Sequence, residues 1–173
     1  MNTLNNTPAS IAESALHLAI QITGSRDEAW DVVQAATVKS LEHRNAPTPE
    51  EQGYRAWFFR VVHNQAIDWL RSQKKFDPDA EPELSSEFID EPEESLATEQ
   101  RKLLLHKALN SLSPEQREIV CLKDFHDFSY LEIAEIMGIE KAAVATRLHR
   151  ARLALRDKLM QYDFFKGDSD GVS

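Results

Sequence analysis

The sequence predicts an all-α fold: two small helical domains joined by an acidic flexible linker. Three observations carry this. Apolar residues recur at helical spacing, capping residues mark helix starts and stops, and one acidic, proline-bearing strip interrupts both patterns. Five glycines and seven prolines in 173 residues leave turns too sparse for a β-rich chain, and no strand alternation competes.

Ile11, Ala15, Leu18 and Ile22 stand at i, i+4, i+7 and i+11, one face of a first helix. Gly24 ends it. Ser25, with Glu28 three residues on, spells a capping box that opens a second helix reaching about His43. After the loop "RNAPTPEEQG" a third helix is expected from about Arg55 to Lys74. Phe58, Phe59, Val62, Ala66, Trp69 and Leu70 share its apolar half. Arg60, Asn64, Arg71, Lys74 and Lys75 fall within about 100° of arc on the other side. Trp57 and Val61 border that polar stripe, and Trp57 by itself reads as core.

Residues 76–100 hold ten acidic side chains, no basic one and three prolines, with no apolar period. They read as a linker. The chain then divides into a unit at 1–75, the linker at 76–100, a second unit at 101–165 and a tail at 166–173. In the second unit Ser113-Pro114-Glu115-Gln116 and Ser129-Tyr130-Leu131-Glu132 each spell a helix start. Gly138 sits where a helix must stop, and a last helix runs from about Lys141 to Met160. Two helices joined by a short turn containing Gly make a helix-turn-helix, with Ala134 at the close crossing and Ile133, Ile136, Val144 and Leu148 as core.

Charge distribution points to function better than the net charge of −9 does. Residues 54–75 carry five basic side chains against one acidic, and "RLHRARLALR", residues 147 to 156, holds four arginines. The second helix of a helix-turn-helix lies in the major groove, where Arg bridges a guanine edge or neutralises phosphate. Thr146, Arg147, His149, Arg150 and Arg152 lie on that helix away from its apolar side. The basic stripe of the third helix, with neighbouring aromatics, suits single-stranded nucleic acid, since bases stack on rings while cations track the backbone. Asn64 and Asp68, four apart, fit either a mutual hydrogen bond or presentation to bases.

Catalytic signals are missing. The sequence holds no glycine-rich phosphate loop, no HExxH, no G-x-S-x-G and no paired Cys/His spacing, so no enzyme activity, cofactor or metal is expected. Cys121 is the only cysteine and reads as a small core residue in a reducing compartment. With no signal-peptide pattern and no apolar run of spanning length, a cytoplasmic protein is expected, monomeric when free.

Three stretches together resemble one family. "TGSRDEAWDVVQ" and "RAWFFRVVHNQAIDWLRSQKK" are similar to region 2 of bacterial RNA polymerase sigma factors of the sigma-70 family. "LSPEQREIVCLKDFHDFSYLEIAEIMGIEKAAVATRLHRARLALRDKL" resembles their region 4. The two-domain layout with a short linker is that of the extracytoplasmic-function (ECF) subfamily. The resemblance implies a factor that binds core RNA polymerase and directs it to promoters. Asp31, Val32, Val33 and Gln34 would dock on polymerase. Arg60, Asn64, Asp68 and Arg71, with the loop 44–54, would capture the minus-ten strand. Region 4 would read the minus-thirty-five duplex, with Lys123 on phosphate and Thr146, His149 and Arg150 toward bases, while Arg147 and Arg152 hold backbone or helix packing. An anti-sigma factor is an implied partner. The chain departs from the family pattern at Trp30 and Ala35 in region 2 and at Glu140, Ala143 and Ala145 in region 4, and the region 4 departures imply a different minus-thirty-five preference. Two alternatives stand beside this reading: a helix-turn-helix regulator acting without polymerase, and a sigma-like decoy for an anti-sigma factor.

Overall fold

The computed structural model describes residues 7–76 and 96–162. Among them are seven α-helices: α1 (Pro8–Thr23), α2 (Arg26–Glu42), α3 (Tyr54–Phe76), α4 (Leu96–Asn110), α5 (Pro114–Val120), α6 (Tyr130–Met137) and α7 (Lys141–Met160). A wide π turn, Cys121–Phe125, extends α5 and closes where the His126 N–H meets the Cys121 carbonyl at 3.0 Å. The described residues hold no strand, and none of their helices is long and apolar enough to cross a membrane.

Local chemistry sets most boundaries. The Thr7 hydroxyl accepts from the Ser10 N–H at 3.2 Å, with Pro8 in the first turn of α1. Gly24 ends α1 at φ 79°, a left-handed conformation that glycine takes without a Cβ clash. The expected capping box at Ser25 does not form. Thr23 Oγ1 already faces the Ser25 N–H at 3.4 Å, and the Ser25 hydroxyl goes to the Glu28 carboxylate instead. At α5 both halves of the box are made, Gln116 N–H to Ser113 Oγ at 3.2 Å and Ser113 N–H to Gln116 Oε1 at 3.4 Å. Ser129 caps α6, and Gly138 turns at φ 65° into α7. Glu140 precedes α7 without a side-chain bond to its first turn.

Helix α4 opens at Leu96, inside the stretch 76–100 read as linker. "LATEQRKLLLHKALN" is rich in good helix formers, but the acids before it hide that signal. The rest of the acidic segment and the tail at 166–173 lie outside the described residues.

Helices α1, α2 and α3 pack pairwise into one unit, and in the other α7 packs against α4, α5 and α6. The two units share a core. α3 lies against α6, and α1 against α5 and the π turn. As a result α1 is enclosed on every side from Leu18 to Thr23, although its apolar spacing marks a single face. Phe59, on the apolar half of α3, meets Phe128 edge-on at 4.8 Å and the His126 ring at 5.2 Å.

Candidate nucleic-acid interface

On α3 the polar stripe faces solvent. Arg60, Asn64, Asp68 and Arg71 are all exposed. Asp68 and Arg71 form a loose pair at 3.9 Å, and Asn64 and Asp68 make no hydrogen bond to each other among the described residues. Trp57 is half-buried at the edge of this stripe, with the His43 ring at 6.0 Å and the Tyr54 ring at 6.3 Å. On the opposite side Phe58, Phe59, Val62 and Ala66 are buried, so packing fixes the rotation of α3 and aims the stripe outward. Backbone N–H and C=O groups are satisfied along the helix, so the outward side chains alone are available to a ligand.

On α7 Val144, Leu148 and Ala151 are buried, which turns Thr146, Arg147, His149, Arg150 and Arg152 outward. Two of these arginines are already occupied. Arg147 pairs with Glu115 at the start of α5. Arg152 forks onto Asp124 in the π turn, Nε to Oδ2 at 3.1 Å, and this bond holds its guanidinium above its ordinary pKa. Lys123 donates to the Phe128 carbonyl at 3.2 Å and lies 5.5 Å from the Tyr130 ring centroid. Thr146, His149 and Arg150 have no hydrogen-bond or ion-pair partner among the described residues.

The four positions expected to dock on polymerase divide. Val32 and Val33 are 3% and 6% exposed and belong to the α1–α2–α3 core, with Val33 also lining the groove between α1 and α2. Asp31 and Gln34 are exposed. Beside them Trp30, Val38 and Leu41 present large apolar surfaces to solvent. A groove of about 570 Å³ between α1 and α2, lined by Leu16, Trp30, Gln34 and Val38, completes this face. The four positions came from the family resemblance, and on a helix "DVVQ" spans about 300° of arc, so they cannot all face one way.

Residues 12–76 match the family model for Sigma-70 region 2, and residues 95–155 that for Sigma-70, region 4. The chain is 33% identical over 147 residues to the RNA polymerase sigma factor SigV of Bacillus subtilis, with 84% of each chain covered. This protein belongs to the sigma-70 family of RNA polymerase sigma factors. Its relatives place it among the ECF sigma factors. One of them, the ECF RNA polymerase sigma factor SigL of Mycobacterium tuberculosis, is 33% identical over 149 residues, covering 83% of this chain and 81% of SigL. The fold resembles that of the sigma factor RpoE from Bartonella quintana, solved in complex with the anti-sigma factor NepR. That match has a TM-score of 0.71 at 24% identity and covers 87% of this chain and 92% of RpoE. As a sigma factor the protein is a non-enzymatic transcription initiation factor that recognises promoters through regions 2 and 4.

Several residues outside the predicted set link the two regions. The Arg55 guanidinium donates to the His126 carbonyl at 2.6 Å and stacks 4.0 Å from the Phe128 ring centroid. Burial pulls its pKa below the usual guanidinium range, with Glu132 and Asp127 opposing. His126 is driven down to about 4 by burial first, then by Arg55 and His17. Cys121 is buried, and burial pushes its thiol up to about 12. His63 Nδ1 and the Glu118 carboxylate are paired, the two residues 8% and 2% exposed. Arg55 and His126 are 71 residues apart in the chain and His63 and Glu118 are 55, so no local pattern marks them as partners.

Proposed function

We propose that α3 holds the minus-ten strand through Arg60, Asn64, Asp68 and Arg71, and that α7 reads the minus-thirty-five duplex through Thr146, His149 and Arg150. The carrying observation is that one chain aims two separate polar surfaces at solvent, each backed by a buried apolar stripe. Cations and amides on α3, next to half-buried Trp57, suit an unpaired strand. An exposed Arg150 flanked by His149 and near Thr146 suits base edges in a major groove.

Core RNA polymerase docks on the α2 face of Trp30, Asp31, Gln34, Val38 and Leu41. An exposed tryptophan beside a shallow apolar groove is the kind of anchor that dominates protein interfaces. Residues 1–75 and 101–165 act as the two promoter-reading domains, with the acidic stretch between them as linker. The protein works in the cytoplasm, as a monomer when free of polymerase. An anti-sigma factor is its further partner, as NepR is for RpoE.

The test is transcription by core polymerase with the purified protein over a pool of genomic promoter fragments. Discrete initiated transcripts are expected, lost when Asn64 and Arg71 are both replaced by Ala. Transcripts that survive those replacements would remove the minus-ten assignment, and their absence with the unaltered protein would remove the docking and promoter assignments together.

A further inference from the structure

Helix α7 carries part of its charge on its flanks. On a helical wheel Arg147 and Arg152 lie about 60° and about 80° to either side of buried Val144, and the exposed Thr146, His149 and Arg150 fill the outward arc between them. A helix seated in a major groove turns its outward row to base edges and its flanks to the phosphates on either side. Arg147 and Arg152 are therefore the side chains placed to meet phosphate.

Each of them already holds a carboxylate. Arg147 meets Glu115 in the first turn of α5. Arg152 meets Asp124 of the π turn through two bonds, its Nε reaching Oδ2 at 3.1 Å. The carboxylates stand 32 and 28 residues away in the chain, so tertiary packing and not helical spacing brings them there. All four side chains are between 39% and 56% exposed. Pairs this exposed contribute little to folding. Their larger effect is on the charge that α7 shows a ligand, because each carboxylate cancels one cation and takes the place on the guanidinium that a phosphate would take. Lys123 bonds a neutral carbonyl, and Arg150 has no ion pair among the described residues, so both keep their charge.

We propose that Glu115 and Asp124 are specificity-determining residues of region 4, acting as built-in stand-ins for phosphate on Arg147 and Arg152. This rests on the minus-thirty-five reading above and deepens it. Attraction to phosphate is independent of sequence and grows with every cation that DNA neutralises. With two arginines already satisfied that attraction is small, and binding depends on the base edges met by Thr146, His149 and Arg150. On a promoter those base contacts fix the depth and register of α7, and the ion pairs hold the arginines in place beside it. On other DNA nothing fixes the helix, and a freed arginine finds whichever phosphate is nearest. Releasing the two arginines therefore strengthens binding to non-promoter DNA more than binding to the promoter.

The experiment uses holoenzyme assembled from the full chain and core polymerase. Its affinity is measured by competition across a salt series, for a promoter duplex from the transcription test above and for the same duplex with a scrambled minus-thirty-five element. Melting curves confirm that each variant is folded. In Glu115→Gln with Asp124→Asn, affinity for the scrambled duplex is expected to rise about fivefold, and preference for the intact element to fall about twofold. The slope of log affinity against log salt should steepen by about 0.9 for each arginine released. Adding Arg147→Gln and Arg152→Gln should return the slope to that of the parent, which a merely structural role of the carboxylates would not do. An unchanged slope in the folded variant, an equal rise on both duplexes, or a fall on both would overturn the proposal. A parent holoenzyme that does not distinguish the two duplexes would instead sink the minus-thirty-five reading, and the proposal with it.

Discussion

The two surfaces proposed to meet nucleic acid differ in how their cations are held. On α3 the stripe is loose: Arg60 and Asn64 stand free of partners among the described residues, and Asp68 and Arg71 touch only at 3.9 Å. On α7 two of the arginines are bound to carboxylates from other elements, Arg147 to Glu115 and Arg152 to Asp124. A duplex is a rigid ligand, and side chains prepositioned by ion pairs lose less freedom on meeting it. An unpaired strand is flexible, and mobile cations can follow it. On the proposed reading the same residue type does two jobs, and its neighbours decide which.

That contrast can be broken most sharply at Arg150. If it reads a base edge while Arg147 is tied to α5, Arg150→Ala should lower holoenzyme affinity for a promoter by about 1–3 kcal/mol. Arg147→Ala should lower it less. Competition binding of holoenzyme to promoter duplexes with single base changes in the minus-thirty-five element checks this. Only Arg150→Ala should relax discrimination at one position, and equal effects of the two variants would erase the distinction.

A smaller effect is expected from pH, and it acts at the joint between the surfaces. His126 is packed against Phe59 and Arg55 of α3, faces His17 of α1, and is followed by Asp127 in its own loop. Its pKa of about 4 in the folded chain lies below the ordinary value of 6.5. The unfolded chain therefore binds the extra proton first, and stability is lost as pH falls from about 6.5 toward 4. Between pH 7.5 and 5.5 this single group should remove about 1–2 kcal/mol. Thermal melts at the two pH values should differ by several degrees, and His126→Gln should flatten that difference.

The smallest effect tests whether the tied arginines matter to folding. Arg152→Ala should cost no more than about 1 kcal/mol of stability, because the pair is nearly half exposed and water screens it. Denaturant titration measures this. A larger loss would mean that the Asp124 fork holds the π turn in place.

The fold class and family were legible in the chain because their signals are local. Ser113 and Ser129 cap their helices through backbone N–H groups three residues away, and Gly24 and Gly138 take conformations that glycine alone adopts easily. The outward aim of Arg60, Asn64 and Arg71 followed from helical geometry, given an apolar stripe opposite. Local signals also misled. Ser25 and Glu28 have the spacing of a capping box, but Thr23 from the preceding helix reached the N–H first. Val32 and Val33 sit beside Asp31 and are both buried, but only Val33 also lines the groove between α1 and α2.

What spacing could not reveal was the meeting of the two halves. Phe59 and Ala66 look alike as apolar positions on α3, but only packing shows that Phe59 touches region 4. Arg55 counted as one more cation of the basic stretch until the fold set it against the His126 carbonyl and the Phe128 ring. The pairing of His63 with Glu118 spans 55 residues of chain, and such contacts depend on where whole helices come to rest. Periodicity says which side of a helix avoids water. Which surface covers that side is decided by the summed packing of every other helix, and no single segment carries that information.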